Sequence, residues 1–160
     1  MNTRSGRLTI LFSMLLTAPA AAETIAETVG QWGLIGPWSL DCASPPDHGK
    51  GSLLTYEVEG DAVVNRRDFG DASDQGRVLN ASVSADGTLN LRVYFPAMKQ
   101  TREYGLLLQQ DGTLRAIYNR NEKGQYTIRN GRFTANGKPA PAQHRCAPDS
   151  GQRPDQESPK

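Results

Sequence analysis

The 160 residues contain only two cysteines and two histidines. Zinc sites draw on clustered Cys and His at short spacing, whereas Cys42 and Cys146 stand more than a hundred positions apart. No metal site is expected from them, and no cofactor. No Gly-x-Ser-x-Gly, His-Glu-x-x-His or phosphate-binding Gly-Lys-Ser pattern occurs, so the common hydrolase, metalloprotease and nucleotide-binding chemistries lack their residues. Beyond residue 22 there is no apolar run of the roughly 20 residues that a membrane-spanning helix needs, and integral membrane insertion is not expected. An excess of one charge is also lacking, with 18 Lys and Arg against 17 Asp and Glu. Nucleic acids and anionic membrane surfaces recruit a basic field, so neither is an expected partner. No internal repeat is visible, and helical periodicity nearly vanishes after residue 35.

What is present begins with an export signal over residues 1–22. Arg4 and Arg7 precede the apolar run Leu8 to Leu16, and Ala20-Ala21-Ala22 offers small residues for cleavage before Glu23. The run is too short to span a bilayer, and no cysteine near the cleavage point could carry a lipid. Cleavage removes two basic residues and leaves 16 against 17 acidic ones. The expected location is the periplasm or the extracellular space. In an exported chain an isolated cysteine pair predicts a disulfide between Cys42 and Cys146. Such a bond brings two Cα atoms within about 7 Å, which makes the first and last strands neighbours.

Between the cysteines the chain reads as short alternating runs broken by Gly turns. Trp38, Leu40 and Cys42 alternate in a first strand, and Leu54, Tyr56 and Val58 in a second. Ala62 to Asp68 forms a third, and Leu79, Ala81 and Val83 mark a fourth. Leu89, Leu91, Val93 and Phe95 give the cleanest alternation. Further strands follow at Arg102 to Leu108, Leu114 to Tyr118, Tyr126 to Ile128, around Phe133, and at Gln143 to Cys146. Short connections such as Ala85-Asp86-Gly87 and Asp111-Gly112 favour antiparallel neighbours. The expected fold is all-β: a small antiparallel meander barrel of eight to ten strands closed by one disulfide, with a two-sheet sandwich as the alternative. The barrel domain is expected over 35–148. Residues 23–34 precede it as a segment able to form a short helix, and 149–160 follow as a polar, Pro-containing tail expected to be disordered.

The Gly36-Pro37-Trp38 opening resembles that of lipocalin-like barrels. The resemblance implies that Trp38 packs across the closed end of the barrel against an arginine of the last strand, for which Arg145 stands in place. Thr101-Arg102-Glu103-Tyr104 loosely echoes a second motif of that family. The chain also resembles the small periplasmic protease inhibitors of bacteria, compact barrels with an early Trp strand and one disulfide. That likeness implies inhibition by an N-terminal segment, although the inhibitor family's disulfide closes a much shorter loop.

Three groups of residues carry candidate chemistry. Asp47 beside His48 is a pair able to orient an imidazole as a general base. Asp68, Asp71 and Asp74 recur every third residue in a Gly-containing stretch, where they either hold calcium or bond to the local backbone. Arg102 and Tyr104, with Tyr118 and Arg120, fall on the apolar alternation of two successive strands. If all four share the inner face they form a phenol-and-guanidinium lining suited to an amphipathic anion, with Leu106 and Leu108 against its apolar body; the alternative is ordinary core packing, with the hydroxyls at the barrel rim and the arginines turned to solvent. The functional expectation is an exported, noncatalytic binding module of the cell envelope that holds a small amphipathic ligand or an envelope protein. The alternatives are a protease inhibitor acting through its N-terminal segment and a hydrolytic enzyme using His48.

Overall fold

A computed structural model describes residues 23–48 and 51–147; the signal region and the tail at 149–160 lie outside the described residues. One helix, α1 (Ile25–Trp32), precedes ten strands: β1 (Gly36–Ser39), β2 (Leu53–Glu59), β3 (Ala62–Asp68), β4 (Ser73–Val83), β5 (Leu89–Phe95), β6 (Gln100–Leu108), β7 (Leu114–Asn121), β8 (Tyr126–Arg129), β9 (Arg132–Phe133) and β10 (Ala142–Arg145). Every pairing is antiparallel. Strands β1 to β7 follow one another as a meander, and β10 then pairs with both β7 and β1. The result is a closed eight-stranded barrel with two extra strands, and the sandwich alternative is set aside. No helix among the described residues is long and apolar enough to cross a membrane.

The closure concentrates several interactions in a few residues. Register places Trp38 opposite Arg145. Trp38 is buried and its indole Nε1 donates to the Leu34 carbonyl at 2.8 Å. The Arg145 guanidinium lies over the Trp38 ring, 4.6 Å from its centroid, and donates to the carbonyls of Ile35 (2.6 Å) and Gly33. Gly36 makes room for this contact. It sits at φ 122°, and a Cβ there would lie 3.2 Å from Arg145 Nη1. One residue further on, Cys146 is bonded to Cys42, with Cα atoms 5.4 Å apart.

Helix α1 packs at the same end. Its start is fixed by a capping box between Thr24 and Glu27, and its end by Gly33 in the left-handed conformation. Val29 and Leu34 are fully buried in the core with Trp38, Val63, Leu89 and Leu114. Trp32 donates to the carbonyl of Gly87 in the β4–β5 turn at 2.9 Å. Antiparallel pairing therefore puts the β2–β3, β4–β5 and β6–β7 turns at the α1 end. The connections Asp68 to Ser73, Phe95 to Gln100 and Asn121 to Tyr126 lie at the other end.

The strand boundaries depart from the sequence reading in several places, among them the end of the last strand, which stops at Arg145 and leaves Cys146 outside it. β1 ends at Ser39, so Leu40 and Cys42 lie in the following loop. β4 begins at Ser73 and takes in Asp74, which the alternation had left in a polar loop. In β4 Gly76 and Val78 are buried, while Leu79 is about half exposed, because the pairing with β5 shifts between Val78 and Asn80. That bulge changes which alternate residues face inward.

Truncation of the closing contact is expected to be costly. Trp38→Ala should lower the unfolding free energy by about 3–5 kcal/mol, the range for a fully buried aromatic. Urea unfolding measures it, and a loss below about 1 kcal/mol would contradict this role. Reducing the disulfide should remove up to about 4–5 kcal/mol, the chain-entropy value for a loop of this length, while far-ultraviolet circular dichroism still reports β structure.

Candidate functional site

The strands that build the wall leave part of the barrel interior open. Along β5, Leu89, Leu91, Val93 and Phe95 point inward and are buried. Gly76 on β4 lets two of them fill one side: a Cβ there would come within 2.6 Å of Val93 and 2.7 Å of Phe95. The opposite side is less filled. A cavity of about 270 Å³ lies among β2, β3, β6 and β7, with Leu54, Leu106, Leu114 and Ala116 as apolar wall and Tyr56, Asn65, Arg67, Tyr104 and Asn119 as polar groups.

Its mouth is bordered by the hairpin of the two extra strands. Asn130 and Gly131 form a two-residue turn with φ 52° and 69°, as a tight antiparallel hairpin requires. β7 divides its outer edge: Leu114 and Arg115 pair with β10, whereas Asn119 and Arg120 pair with β8. In the gap, Gly131 donates its N–H to the Ile117 carbonyl at 2.8 Å. Ile128 and Phe133, opposite one another in the hairpin, thereby reach the cavity.

The polar groups are arranged unequally. Arg67 donates from Nε to Asp74 at 2.6 Å and from Nη2 to the other carboxylate oxygen, and its guanidinium lies 4.0 Å from the Phe95 ring centroid. Burial works against the charge of Arg67, but Asp74 and the neighbouring phenols outweigh it and its pKa is raised. Burial pushes the Tyr56 phenol well above its ordinary pKa, with Tyr104 adding to the shift and Asn65 and Arg67 opposing it. Burial likewise raises Tyr104, against the charges of Arg67 and Arg102. Asn65 is 3% exposed, and its Oδ1 is buried without a hydrogen-bond partner. Asn65 lies beside Tyr56, yet no hydrogen bond of ordinary geometry reaches that oxygen. A buried acceptor left unpaired costs about 1–3 kcal/mol.

Of the four residues expected to line the lumen together, the fold brings two to the inner face and two to the outer. Tyr104 lines the cavity, and Arg102 is on the same face, donating to Asn119 Oδ1 (2.9 Å), Thr127 (3.0 Å) and Gln100 (3.2 Å). Tyr118 pairs with Gly105, not with Tyr104, because the β6–β7 register shifts between Gly105 and Leu106. It lies on the outer face across Gly105, where a Cβ would come within 2.2 Å of its ring, and donates to Asn90 Oδ1 at 2.9 Å. Arg120 also faces outward, bonded to Glu103 at 2.5 Å and to the Tyr126 hydroxyl at 3.3 Å. The expected single lining is corrected to a lumen pair, Arg102 and Tyr104, and an outer pair, Tyr118 and Arg120. Leu106 is buried as expected, whereas Leu108 is 41% exposed.

The acidic stretch and His48 lie at the rim. His48 Nε2 is 2.8 Å from Asp71 Oδ1, and its ring stacks on Phe69 at 5.3 Å. Both members of the pair are largely exposed, in an open depression bordered by Pro45, Pro46 and Asp68. The three carboxylates do not converge on one point: Asp68 bonds to the local backbone, accepting from the Gly70 N–H, while Asp71 meets His48 and Asp74 holds Arg67.

Asn65 and Arg67 were missed by sequence reasoning. Both follow Val63 at spacing two, so the strand pattern placed them on a common face; their polarity concealed that this face is the interior.

The raised phenols predict an alkaline loss of stability. In the unfolded chain a tyrosine ionises near pH 10, while folded Tyr56 keeps its proton to higher pH. Above about pH 10 the unfolded state therefore releases protons that the native state retains, and stability falls as pH rises, by up to about 1.4 kcal/mol per pH unit for each such group. Tyr56→Phe should flatten that decline in urea unfolding between about pH 10 and 11.5; an unchanged slope would place Tyr56 in contact with solvent. The chain matches no protein-family model, no curated protein and no solved structure, and the reading of its site rests on this geometry.

Proposed function

We propose that the chain is an exported, noncatalytic binding module of the cell envelope, lipocalin-like in design, that holds a small amphipathic ligand in the barrel lumen. The observation that carries the reading is the cavity of about 270 Å³ with an apolar wall and a few convergent polar groups. Ligand sites have this composition, and the volume exceeds the roughly 150 Å³ of an engineered apolar cavity that accepts benzene. It suits a compact ligand built around one ring or a short chain.

The export reading rests on the signal-like residues 1–22 and is supported by the Cys42–Cys146 bond, which persists in oxidising compartments. The N-terminal segment favours ligand binding over protease inhibition. From Thr24 onward it is capped, helical and packed against β3 and β4, instead of standing away from the barrel. The exposed His48–Asp71 pair lies at the rim with no neighbouring nucleophile or oxyanion donor to complete a hydrolytic constellation among the described residues.

Calorimetric titration with a panel of small amphipathic compounds tests the proposal. Binding of at least one class with one-to-one stoichiometry is expected. Ala116→Phe, which projects a ring into the cavity, should abolish it, and Arg120→Ala on the outer face should leave it unchanged. Binding that survives Ala116→Phe in the folded protein would move the site out of the lumen.

A further inference from the structure

We infer that the lumen selects a singly charged anion, a carboxylate with a compact apolar body, and that Arg102 at the cavity mouth supplies the charge that selects it. This rests on the lumen-binding reading and specifies its ligand class. The balance of charge is uneven there. Two guanidinium groups, Arg67 and Arg102, share the inner face with one bonded carboxylate, Asp74, which is held by Arg67. Arg102 is half-buried, and its partners are the neutral oxygens of Asn119, Gln100 and Thr127. Among the described residues it forms no ion pair. A charge drawn away from water favours an opposite charge beside it. A neutral head would leave Arg102 uncompensated, a cation would add to its charge, and a dianion would reverse the imbalance.

Donors remain for such a head. A guanidinium carries five N–H groups, and the three bonds of Arg102 use three of them, so an anion need not displace its partners. Arg67 lines the cavity with its side chain 18% exposed; Nε and Nη2 reach Asp74, while Nη1 donates to no group among the described residues. Tyr104 also lines the cavity and feels both guanidinium charges. Its phenol is protonated at neutral pH and can donate to a carboxylate oxygen. The order of side chains along the inner face of β6 orients the ligand. Arg102 comes first, at the mouth, bonded to Thr127 of the β8–β9 hairpin; Tyr104 follows, then the buried Leu106. The charged head therefore stays at the mouth and the apolar body lies against Leu106 and Leu114.

A matched pair of probes separates this inference from the broader reading. Benzoate and benzamide have nearly the same shape and differ in charge. Titration of the mature, disulfide-bonded protein at pH 7.5 is expected to show benzoate binding at least tenfold more tightly than benzamide. Arg102→Gln keeps a polar side chain at the mouth and removes the charge, and should bring the two affinities within a factor of about three. Arg120→Ala removes the same charge from the outer face and should leave the preference intact, which separates a local field from the net charge of the protein. In the unaltered protein, the Arg102 Nε–H resonance should shift with benzoate, whatever the variants do. Equal or tighter binding of benzamide, a preference that survives in folded Arg102→Gln, or an Arg102 resonance that benzoate leaves unmoved would overturn the inference. Failure of benzoate to bind while other panel compounds occupy the lumen would overturn it too. In each of these cases the lumen site stands wherever Ala116→Phe still abolishes binding. Failure of both probes and of the whole amphipathic panel would overturn the lumen reading itself and the inference with it.

Discussion

The stack of Arg145 on Trp38 is the contact on which the barrel depends. β10 has four residues, yet it must join β1 to β7 and remove both open edges of the meander. Few backbone bonds are available to so short a strand. Arg145 adds two bonds to the carbonyls of Gly33 and Ile35 and a face-on contact with a buried indole. Those carbonyls belong to the segment between α1 and β1, so the same guanidinium fixes the helix, the first strand and the last. The disulfide one residue later makes the closure covalent. Each device limits the freedom of the next: Gly36 admits the arginine, the arginine orients the tryptophan, and the tryptophan seals the end that α1 covers.

Closure at that end has a consequence at the other. With Val29, Leu34 and Trp38 filling one end and Val93 and Phe95 filling one side, the unfilled space is displaced toward β2, β3, β6 and β7. The divided edge of β7 then lets the β8–β9 hairpin stand beside that space instead of completing the wall. The interior is thus a packed core over part of its volume and a cavity over the rest. Asn65 borders the second part, and its Oδ1 is buried there without a hydrogen-bond partner.

Much of the architecture was legible in the sequence because it follows from local pattern. β3 and β5 were read with their observed limits, and the pairing of Cys42 with Cys146, the burial of Trp38 and its contact with Arg145 emerged as expected. The lumen was less legible for a specific reason. Two-residue alternation tells which side chains share a face only while the register is unbroken. Shifts in pairing occur beside Val78, beside Leu106 and between Asn119 and Arg120. The second of these separates Tyr104 from Tyr118, and no residue type in that stretch marks it except Gly105, which yields its face to the Tyr118 ring. Asn65 and Arg67 are hard to read for the opposite reason: their alternation with Val63 is intact, but a polar side chain does not mark an inner face.

The central claim is that this closed barrel offers its interior to a ligand. Nuclear Overhauser contacts between a bound compound of the amphipathic panel and the methyl groups of the isotopically labelled protein test it most directly, because they locate the molecule. The account predicts contacts to methyl-bearing residues around the cavity, among them Leu54, Leu106, Leu114 and Ile128. Contacts confined to exposed methyls such as those of Val58, Leu79 or Leu108 would contradict it.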